Sequence, residues 1–427
     1  ITGRKIVHLV GMALFALGAL ASALAPNLPV LLGARIVMAI GGAMDQAVVT
    51  AIITSIFPPR ERGKGLGMLS TAVGVGAVAG PVVGGPLVGE FGWRSVYLFL
   101  FAPTLICFTL SIFVLDDSRI GTVRREEGER YDWIGALTSA SALALIIFTI
   151  NNPLNLAWTS GPAIIGGVVS LTLLVIFIHW ELRAKTPMME LRLFQDARFS
   201  WSTLARFFGF FGSSAVWFLM PFYLQDIQGF SPQDVGFVIF VGALGMAIAG
   251  MLSGRLSDQF GFRIFTFLGL GLTIGTGLLF STLGVNTPLY VIILALALNG
   301  IGMGLWTVPT MSFTLGVVDR TSYGIVAAFL NLVRNVGSVM GVAVTSVIVS
   351  TVMVRRGVLP DLGAIGDAAG GHVGKAFLAG TRMTYLILAG FSLCALLAAI
   401  MTRDKDRGLE NKRTTEPVVD QGERGAE

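Results

Sequence analysis

The sequence predicts an all-α polytopic membrane protein, and three observations support that fold class. Hydrophobic residues make up 54% of the 427 residues and charged residues only 13%, whereas soluble proteins carry about 25% charged residues. The mean hydropathy is +0.78. Apolar runs of about 20 residues, the length that an α-helix needs to cross a bilayer, recur along the whole chain.

Twelve such runs are long enough to span a membrane. They cover residues 6–25, 29–56, 65–89, 94–115, 133–151, 161–180, 200–225, 233–253, 264–284, 288–317, 323–353 and 377–402. Both cysteines, Cys107 and Cys394, fall within these runs. Neither a disulfide framework nor a cysteine metal site is therefore expected.

The connections between the runs alternate in charge. Most of the 30 Lys and Arg residues lie in one alternating set of connections and at the two chain ends. The positive-inside rule places that set, and both ends, in the cytoplasm of a multi-pass protein of the cytoplasmic membrane. The net charge of +5 is then a topology signal, and we expect no nucleic-acid partner.

These features divide the chain into four parts. They are residues 1–115, helices of a first bundle; 116–199, cytoplasmic linkers around an extra helix pair; 200–402, a six-helix second bundle; and 403–427, a charged tail. The tail lacks an apolar face, so disorder is expected there.

A stretch rich in Gly and Pro, residues 74–89, organises the first bundle. Its small residues recur every four positions as Gly76, Gly80 and Gly84, with Pro81 and Gly85 beside them. Small residues at this spacing let two membrane helices approach closely. The stretch therefore predicts a bent, tightly packed helix at the interface between two bundles.

Two short basic segments in distant parts of the chain resemble each other. The first is TGRKIVHL near the start, and the second is GMLSGRLSDQFGFR at Gly250–Arg263. Glycines at 254 and 261 predict tight turns, and Asp258 is expected to cap a helix or to pair with a neighbouring Arg. The residues expected to gate the cytoplasmic side are Gly3, Arg4, Lys5, Gly254, Arg255, Asp258, Gly261 and Arg263.

These pieces resemble the signature segments of the major facilitator superfamily. GAVAGPVVGG at Gly76–Gly85 has the form GxxxGPxxGG of its antiporter branch. LLGARIVMAIGGAM, FPPRERGKGLG and LNLVRNVGSVMGVAV are similar to further family segments. The resemblance implies two pseudo-symmetric bundles that alternate access to a central site. It also implies fourteen helices, with two preceding ITGRK, as in the drug:proton antiporters.

The same resemblance implies proton-driven export of an amphipathic, often cationic, drug-like compound. A transporter of one defined metabolite and a non-transporting receptor or scaffold stay open as alternatives. The motifs GxxxxGK[ST], HExxH and GxSxG do not occur in the sequence, so we expect no enzyme, no ATP site, no metal and no cofactor beyond the proton gradient. A monomer is expected, and adaptor partners stay open.

Three charged residues within spans are candidates for proton coupling: Asp45, Arg35 and Arg334. An ionised carboxylate in the middle of a span costs several kcal/mol, so Asp45 is expected to face a cavity. The alternative is permanent pairing with an Arg of another helix. Arg35 matches the family's intramembrane Arg but lies about 15 Å from Asp45 along the helix. Its alternative is snorkelling, and that of Arg334 is an interhelical structural pair.

Candidates for the substrate cavity are Gln46, Asn331, Asn335, Trp217 and Phe211. The last two belong to the aromatic run RFFGFFGSSAVWFLMPFY, which could stack on an apolar cation or simply pack in the core. We expect Arg206 and Arg382 to snorkel from span ends. His8, His179 and His372 are scattered, which argues against a metal site.

Overall fold

The computed structural model describes residues 3–56, 62–116, 132–151, 160–184, 191–318, 323–358 and 371–402. Within these ranges, the side chain of Asp258 and several side chains of residues 50–78 lie outside the description. The predicted tail and residues 117–131 and 185–190 of the predicted linkers lie outside the described residues.

Twelve α-helices make up the described part of the chain. They are α1 Arg4–Ala23, α2 Leu28–Ile56, α3 Arg62–Phe91, α4 Arg94–Val114, α5 Trp133–Asn151, α6 Gly161–Glu181, α7 Ala197–Phe222, α8 Pro232–Phe260, α9 Phe262–Phe280, α10 Leu289–Gly316, α11 Tyr323–Arg355 and α12 His372–Met401. A 3₁₀ turn at Leu191–Gln195 precedes α7, and a π-helical turn at Tyr223–Ile227 follows it. The prediction of an all-α protein with twelve helices is confirmed.

Eleven of the twelve helices are long and apolar enough in their described residues to cross a membrane, and α3 is the exception. The largest boundary difference is at α8, which ends at Phe260 rather than at 253. Gly254 lies inside this helix instead of forming a turn, and it faces α10, where a Cβ on Gly254 would lie 3.1 Å from a methyl of Val308. Only Gly261, at φ 87°, breaks the chain between α8 and α9.

The helices pack in two groups. In the first half, α1 packs against α2 and α4. In the second half, α7 packs against α11 and α12, and α10 against α8 and α9, around a core that includes Tyr223, Phe280, Phe377 and Leu388. The extra pair, α5 and α6, packs mainly on itself and touches α11. The remaining helix, α3, packs mainly against α8 and so joins the two groups.

Successive spans run in opposite directions, so the bundle has two faces. We call the end where α1 begins and α12 ends the basic face, and the other end the opposite face. Polar contacts tie helices together at both. Arg263 donates to the carbonyl of Thr402 at the basic face, and Arg94 donates to that of Ala25 (2.9 Å) at the opposite face.

Candidate functional site

The first cluster lies within the first half, where α1, α2 and α4 meet. His8 Nδ1 lies 2.5 Å from Asp45 Oδ1, and His8 Nε2 lies 3.2 Å from Ser111 Oγ. The side chain of His8 is 13% exposed and that of Asp45 is 37% exposed. Hydrogen bonds thus connect side chains of three helices, α1, α2 and α4. The carboxylate of Asp45 in this cluster is partly exposed at the protein surface.

Glycines bring His8 and Asp45 together. Gly11 lies one turn after His8 on α1, and Gly41 lies one turn before Asp45 on α2, so each glycine shares a helix face with its polar neighbour. A Cβ on Gly11 would lie 2.9 Å from the carbonyl oxygen of Gly41. The two backbones are therefore in direct contact, and a short His side chain spans the gap.

Asp45 is set apart from the other acids of the twelve described helices. Each of the others, such as Glu90 or Asp234, lies within one turn of a helix end, whereas Asp45 lies about 16 Å from the end of α2. A carboxylate at that depth needs a polar partner. The sequence offers an Arg of another helix as one such partner, but the partner in the structure is His8, for which the sequence predicts no role.

Arg35 does not join this cluster. It is exposed and lies toward the opposite face, with its guanidinium 5.5 Å from the centroid of the Tyr97 ring of α4. Gln46 is exposed as well. The structure thus places two of the candidates of α2 on its surface and brings neither of them to Asp45.

The second cluster lies in the second half, where α7, α10 and α11 meet. Arg206 is only 3% exposed. Its Nε and Nη1 donate to the carbonyls of Leu330 and Thr307, each at 3.2 Å, and its guanidinium lies 5.2 Å from the centroid of Phe210. The expectation that Arg206 snorkels is wrong, because α7 begins before the predicted span and places it about 13 Å inside the helix.

Arg334 lies one turn after Leu330 on the face of α11 that meets α7. It is half-buried, its Nε lies 3.3 Å from Asn335 Oδ1, and Asn335 itself is exposed. Asn331 is half-buried beside it. Arg382, in contrast, is exposed and donates from Nε to the carbonyl of Leu283 at 2.9 Å, near the opposite face.

The aromatic candidates serve packing. Phe211 is 5% exposed, and its ring centroid lies 4.5 Å from that of Phe391 and 6.0 Å from that of Phe207. Trp217 is half-buried and donates from Nε1 to the sulfur of Met303 at 3.3 Å. Phe211 is thus a core residue in this conformation, since the run fills the space between α7 and α12.

The Gly–Pro stretch of α3 forms the contact between the halves, but through a different face than predicted. A Cβ on Gly85 would lie 2.8 Å from the carbonyl of Pro232 of α8 and 3.2 Å from the Cα of Gly236. A Cβ on Gly76, Gly80 or Gly84 would meet nothing within 4 Å among the described residues. The stripe of α3 that contacts α8 therefore consists of Pro81, Gly85 and Gly89. It lies beside the predicted stripe, displaced by one residue along the sequence.

The residues predicted to gate the cytoplasmic side lie at or near helix ends on the basic face. Gly3 precedes α1, whose first turn holds Arg4 and Lys5, and Arg255 is exposed on α8. Arg263 begins α9 and contacts the end of α12. The side chain of Asp258, on which the predicted polar contact depends, lies outside the described residues.

Known proteins resemble this chain over most of its length. A family model described as Major Facilitator Superfamily matches residues 1–342. The chain is 29% identical over 346 residues to the riboflavin transporter RibZ of Clostridioides difficile, covering 80% of this chain and 73% of RibZ. It is 27% identical over 344 residues to the multidrug resistance protein Stp of Mycobacterium tuberculosis, covering 80% of this chain and 63% of Stp.

A third relative is the methylenomycin A resistance protein of Streptomyces coelicolor, 27% identical over 350 residues, with 81% of this chain and 72% of that protein covered. Among solved structures, a bacterial homologue of the human lysosomal transporter Spinster has a TM-score of 0.62 at 17% identity, covering 95% of this chain and 85% of that chain. This likeness shows a shared fold.

Proposed function

The chain belongs to the major facilitator superfamily, and from that premise we propose that it is a proton-coupled secondary transporter that exports amphipathic, drug-like compounds. Two bundles would alternate access to a site near the middle of the membrane. The bilayer, protons and a small molecule are then its partners, and the ion gradient takes the place of ATP.

The contact between the halves supports alternating access. Gly85 and Gly89 of α3 meet Gln233 and Gly236 of α8, and these residues all lie close to the opposite face. The amide of Gln233 also lies 3.2 Å from the carboxylate of Glu90. If the basic face is cytoplasmic, as its charge favours, this contact closes the outer side of the transporter.

The proposal of proton coupling rests on the hydrogen bonding and the exposure of Asp45. Its carboxylate is hydrogen-bonded to His8, yet more than a third of the side chain is exposed. A group that binds and releases a proton as access alternates needs both a polar partner and a route to water. Among the acids of the twelve described helices, Asp45 is the one that lies deep in a helix, and it combines a polar partner with a partly exposed side chain.

The direction and the cargo rest on the relatives and on the antiporter motif. Two of the relatives are named as resistance proteins, for multiple drugs and for methylenomycin A. These names support export of amphipathic compounds. The aromatic run gives little support to a cationic cargo, because Phe211 is committed to core packing.

A defined metabolite is the second candidate, and one comparison favours it. RibZ, named as a riboflavin transporter, is similar to this chain over 346 residues. A transporter for one metabolite would be inhibited by close analogues of that metabolite alone. A multidrug exporter would be inhibited by structurally unrelated compounds, so competition measurements separate the two.

The test is dye transport by the protein in inverted membrane vesicles under an imposed pH gradient. We expect Asp45→Asn to abolish gradient-driven flux while dye binding persists. The matched control is Asp234→Asn, because Asp234 is exposed at the start of α8 and its described hydrogen bonds lie within its own turn. Unchanged flux in Asp45→Asn would assign the coupling to another group, and no flux of any dye in the wild type would remove the export proposal.

A further inference from the structure

The second half of the protein contains a buried positive charge without a carboxylate partner. The guanidinium of Arg206 has five N–H donors, but its described partners are two carbonyl oxygens and the sulfur of Met311 at 4.0 Å. Burying a guanidinium is costly unless an opposite charge or a full set of acceptors compensates it. At 3% exposure, Arg206 has neither among the described residues.

A second guanidinium lies close to the first. Arg334 lies one turn after Leu330, whose carbonyl accepts the hydrogen bond from Arg206 Nε, so the two guanidinium groups belong to adjacent positions of the α7–α11 contact. The Nε of Arg334 contacts Asn335, whereas its Nη1 and Nη2 have no protein partner among the described residues. This paired set of donors is half-buried rather than sealed, so a ligand can reach it.

The surrounding helices supply no acid. The sequences of α7, α9, α10, α11 and α12 contain no Asp or Glu, and the two acids of α8 lie within one turn of its ends. Asp45 lies at a similar depth, about 16 Å from the basic face, but it is held by His8 on the other half. Two like charges without a counter-ion create a local potential that favours an anion.

We propose that Arg334, with Arg206 behind it and Asn335 beside it, binds the carboxylate of an amphipathic organic anion. A planar guanidinium binds a carboxylate through two parallel N–H···O bonds, which fixes orientation as well as charge. This inference deepens the proposed function, on which it rests, by naming the substrate class. It also reverses the cationic cargo that the family resemblance implies.

The test compares a carboxylated coumarin dye with its methyl ester, which has the same ring system without the charge. Binding of each to the purified protein in lipid nanodiscs is measured by fluorescence anisotropy. We expect the wild type to bind the acid with about tenfold or higher affinity than the ester. One hydrogen bond between charged groups contributes a difference of that size. Arg334→Gln should lose that preference and bind the ester as before, and Arg334→Lys should keep part of it.

Arg382→Gln is the matched control. Arg382 lies with Arg356 and Lys375 around a separate pocket near the opposite face, which is the alternative place for an anion. We expect this variant to keep the preference for the acid. Loss of the preference in Arg382→Gln would overturn the assignment, and so would equal binding of acid and ester by the wild type or an unchanged preference in Arg334→Gln.

The rival partner for Arg334 is Asp45, brought to it in another conformation. That pairing predicts that Asp45→Asn restores function to Arg334→Gln in the double variant, which would also overturn the proposal. Gradient-driven flux of both dyes in wild-type vesicles tests the proposed function separately. An acid preference without flux would leave the subsite standing while the transport proposal fails.

Discussion

Gly85 of α3 and Gly236 of α8 touch backbone to backbone across the two halves of the protein. A Cβ on Gly236 would lie 3.1 Å from the Cα of Gly85 and would collide with the carbonyl of Pro81. Interior packing is dense, so such a contact has no room for an added methyl group. The pair therefore fixes how closely the halves approach near the opposite face.

Gly236→Ala should loosen this contact. Overpacking of a tight interface costs about 1–3 kcal/mol, so we expect a lower melting temperature and a measurable proton leak across vesicles that carry the variant. Gly80→Ala is the control, because a Cβ on Gly80 would meet nothing within 4 Å among the described residues. A leak in Gly80→Ala but not in Gly236→Ala would show instead that the predicted stripe of Gly76, Gly80 and Gly84 forms the contact between the halves.

Arg206→Met should preserve the fold and weaken anion binding. Replacing a buried charge that lacks a counter-ion by an apolar side chain of similar length is often neutral or stabilising. We therefore expect a melting temperature at or above that of the wild type and about a threefold to tenfold loss of affinity for the acid dye. Arg206→Ala, which also leaves a cavity, should be destabilised by about 2–4 kcal/mol.

If Arg206→Met instead melts well below the wild type, the two carbonyl contacts to α10 and α11 stabilise the bundle by more than the burial of the charge costs. If both the melting temperature and the affinity for the acid dye are unchanged, Arg206 has no part in recognition, and the subsite consists of Arg334 and Asn335.

Asp196 should stabilise the first turn of α7 in a pH-dependent way. Its side chain accepts a hydrogen bond from the backbone N–H of Arg198 (2.8 Å), and its hydrogen bonds to the Arg198 side chain lower the pKa of Asp196. A lowered pKa means that the stabilisation is present at neutral pH and is lost only as the pH falls below the ordinary Asp value of about 4.

Asp196→Ala should therefore speed hydrogen exchange in the first turn of α7 at neutral pH, by an amount that corresponds to about 0.5–1 kcal/mol. Asp196→Asn keeps an oxygen that can accept the backbone hydrogen bond, so it should protect the turn but lose the pH dependence. Equal exchange in the wild type and Asp196→Ala would show that the 3₁₀ turn before α7 holds the helix end without the cap.

The helices could be predicted from the sequence because length and apolar content alone decide whether a segment spans a bilayer. The faces of the helices could not. In a membrane, lipid-facing and protein-facing residues are both apolar, so hydropathy does not indicate which stripe of α3 meets α8. Gly76, Gly80 and Gly84 form the more regular pattern, yet Gly85 and Gly89 make the contact.

The site was predictable only in part. Asp45 stands out because an acid is rare in the middle of a span, but its partner depends on how α1 and α2 are paired. One signal for His8 is present in the sequence: His8 precedes Gly11 by one turn, and Asp45 follows Gly41 by one turn. Arg206 was misplaced because its distance from the start of α7 depends on residues 197–199, which do not belong to the apolar run.

His8→Gln should reduce proton-coupled flux without removing dye binding. Gln cannot carry a proton, and it leaves Asp45, with 37% of its side chain exposed, without the imidazole 2.5 Å away. The hydrogen bond contributes about 1–1.5 kcal/mol, so we expect about a fivefold to tenfold loss of flux under an imposed pH gradient. Ser111→Ala removes only the second contact of His8, at 3.2 Å, and should cost less.

The control is His372→Gln, because His372 lies at the opposite face and contacts the carbonyl of Arg356 at 2.8 Å. Substrate counterflow, which needs no proton gradient, separates coupling from structure. His8→Gln should retain counterflow if the His8–Asp45 pair handles protons, since the bundles can still alternate. If His8→Gln loses counterflow and gradient-driven flux to the same extent, the pair holds α1 against α2 and the proton is carried by another group.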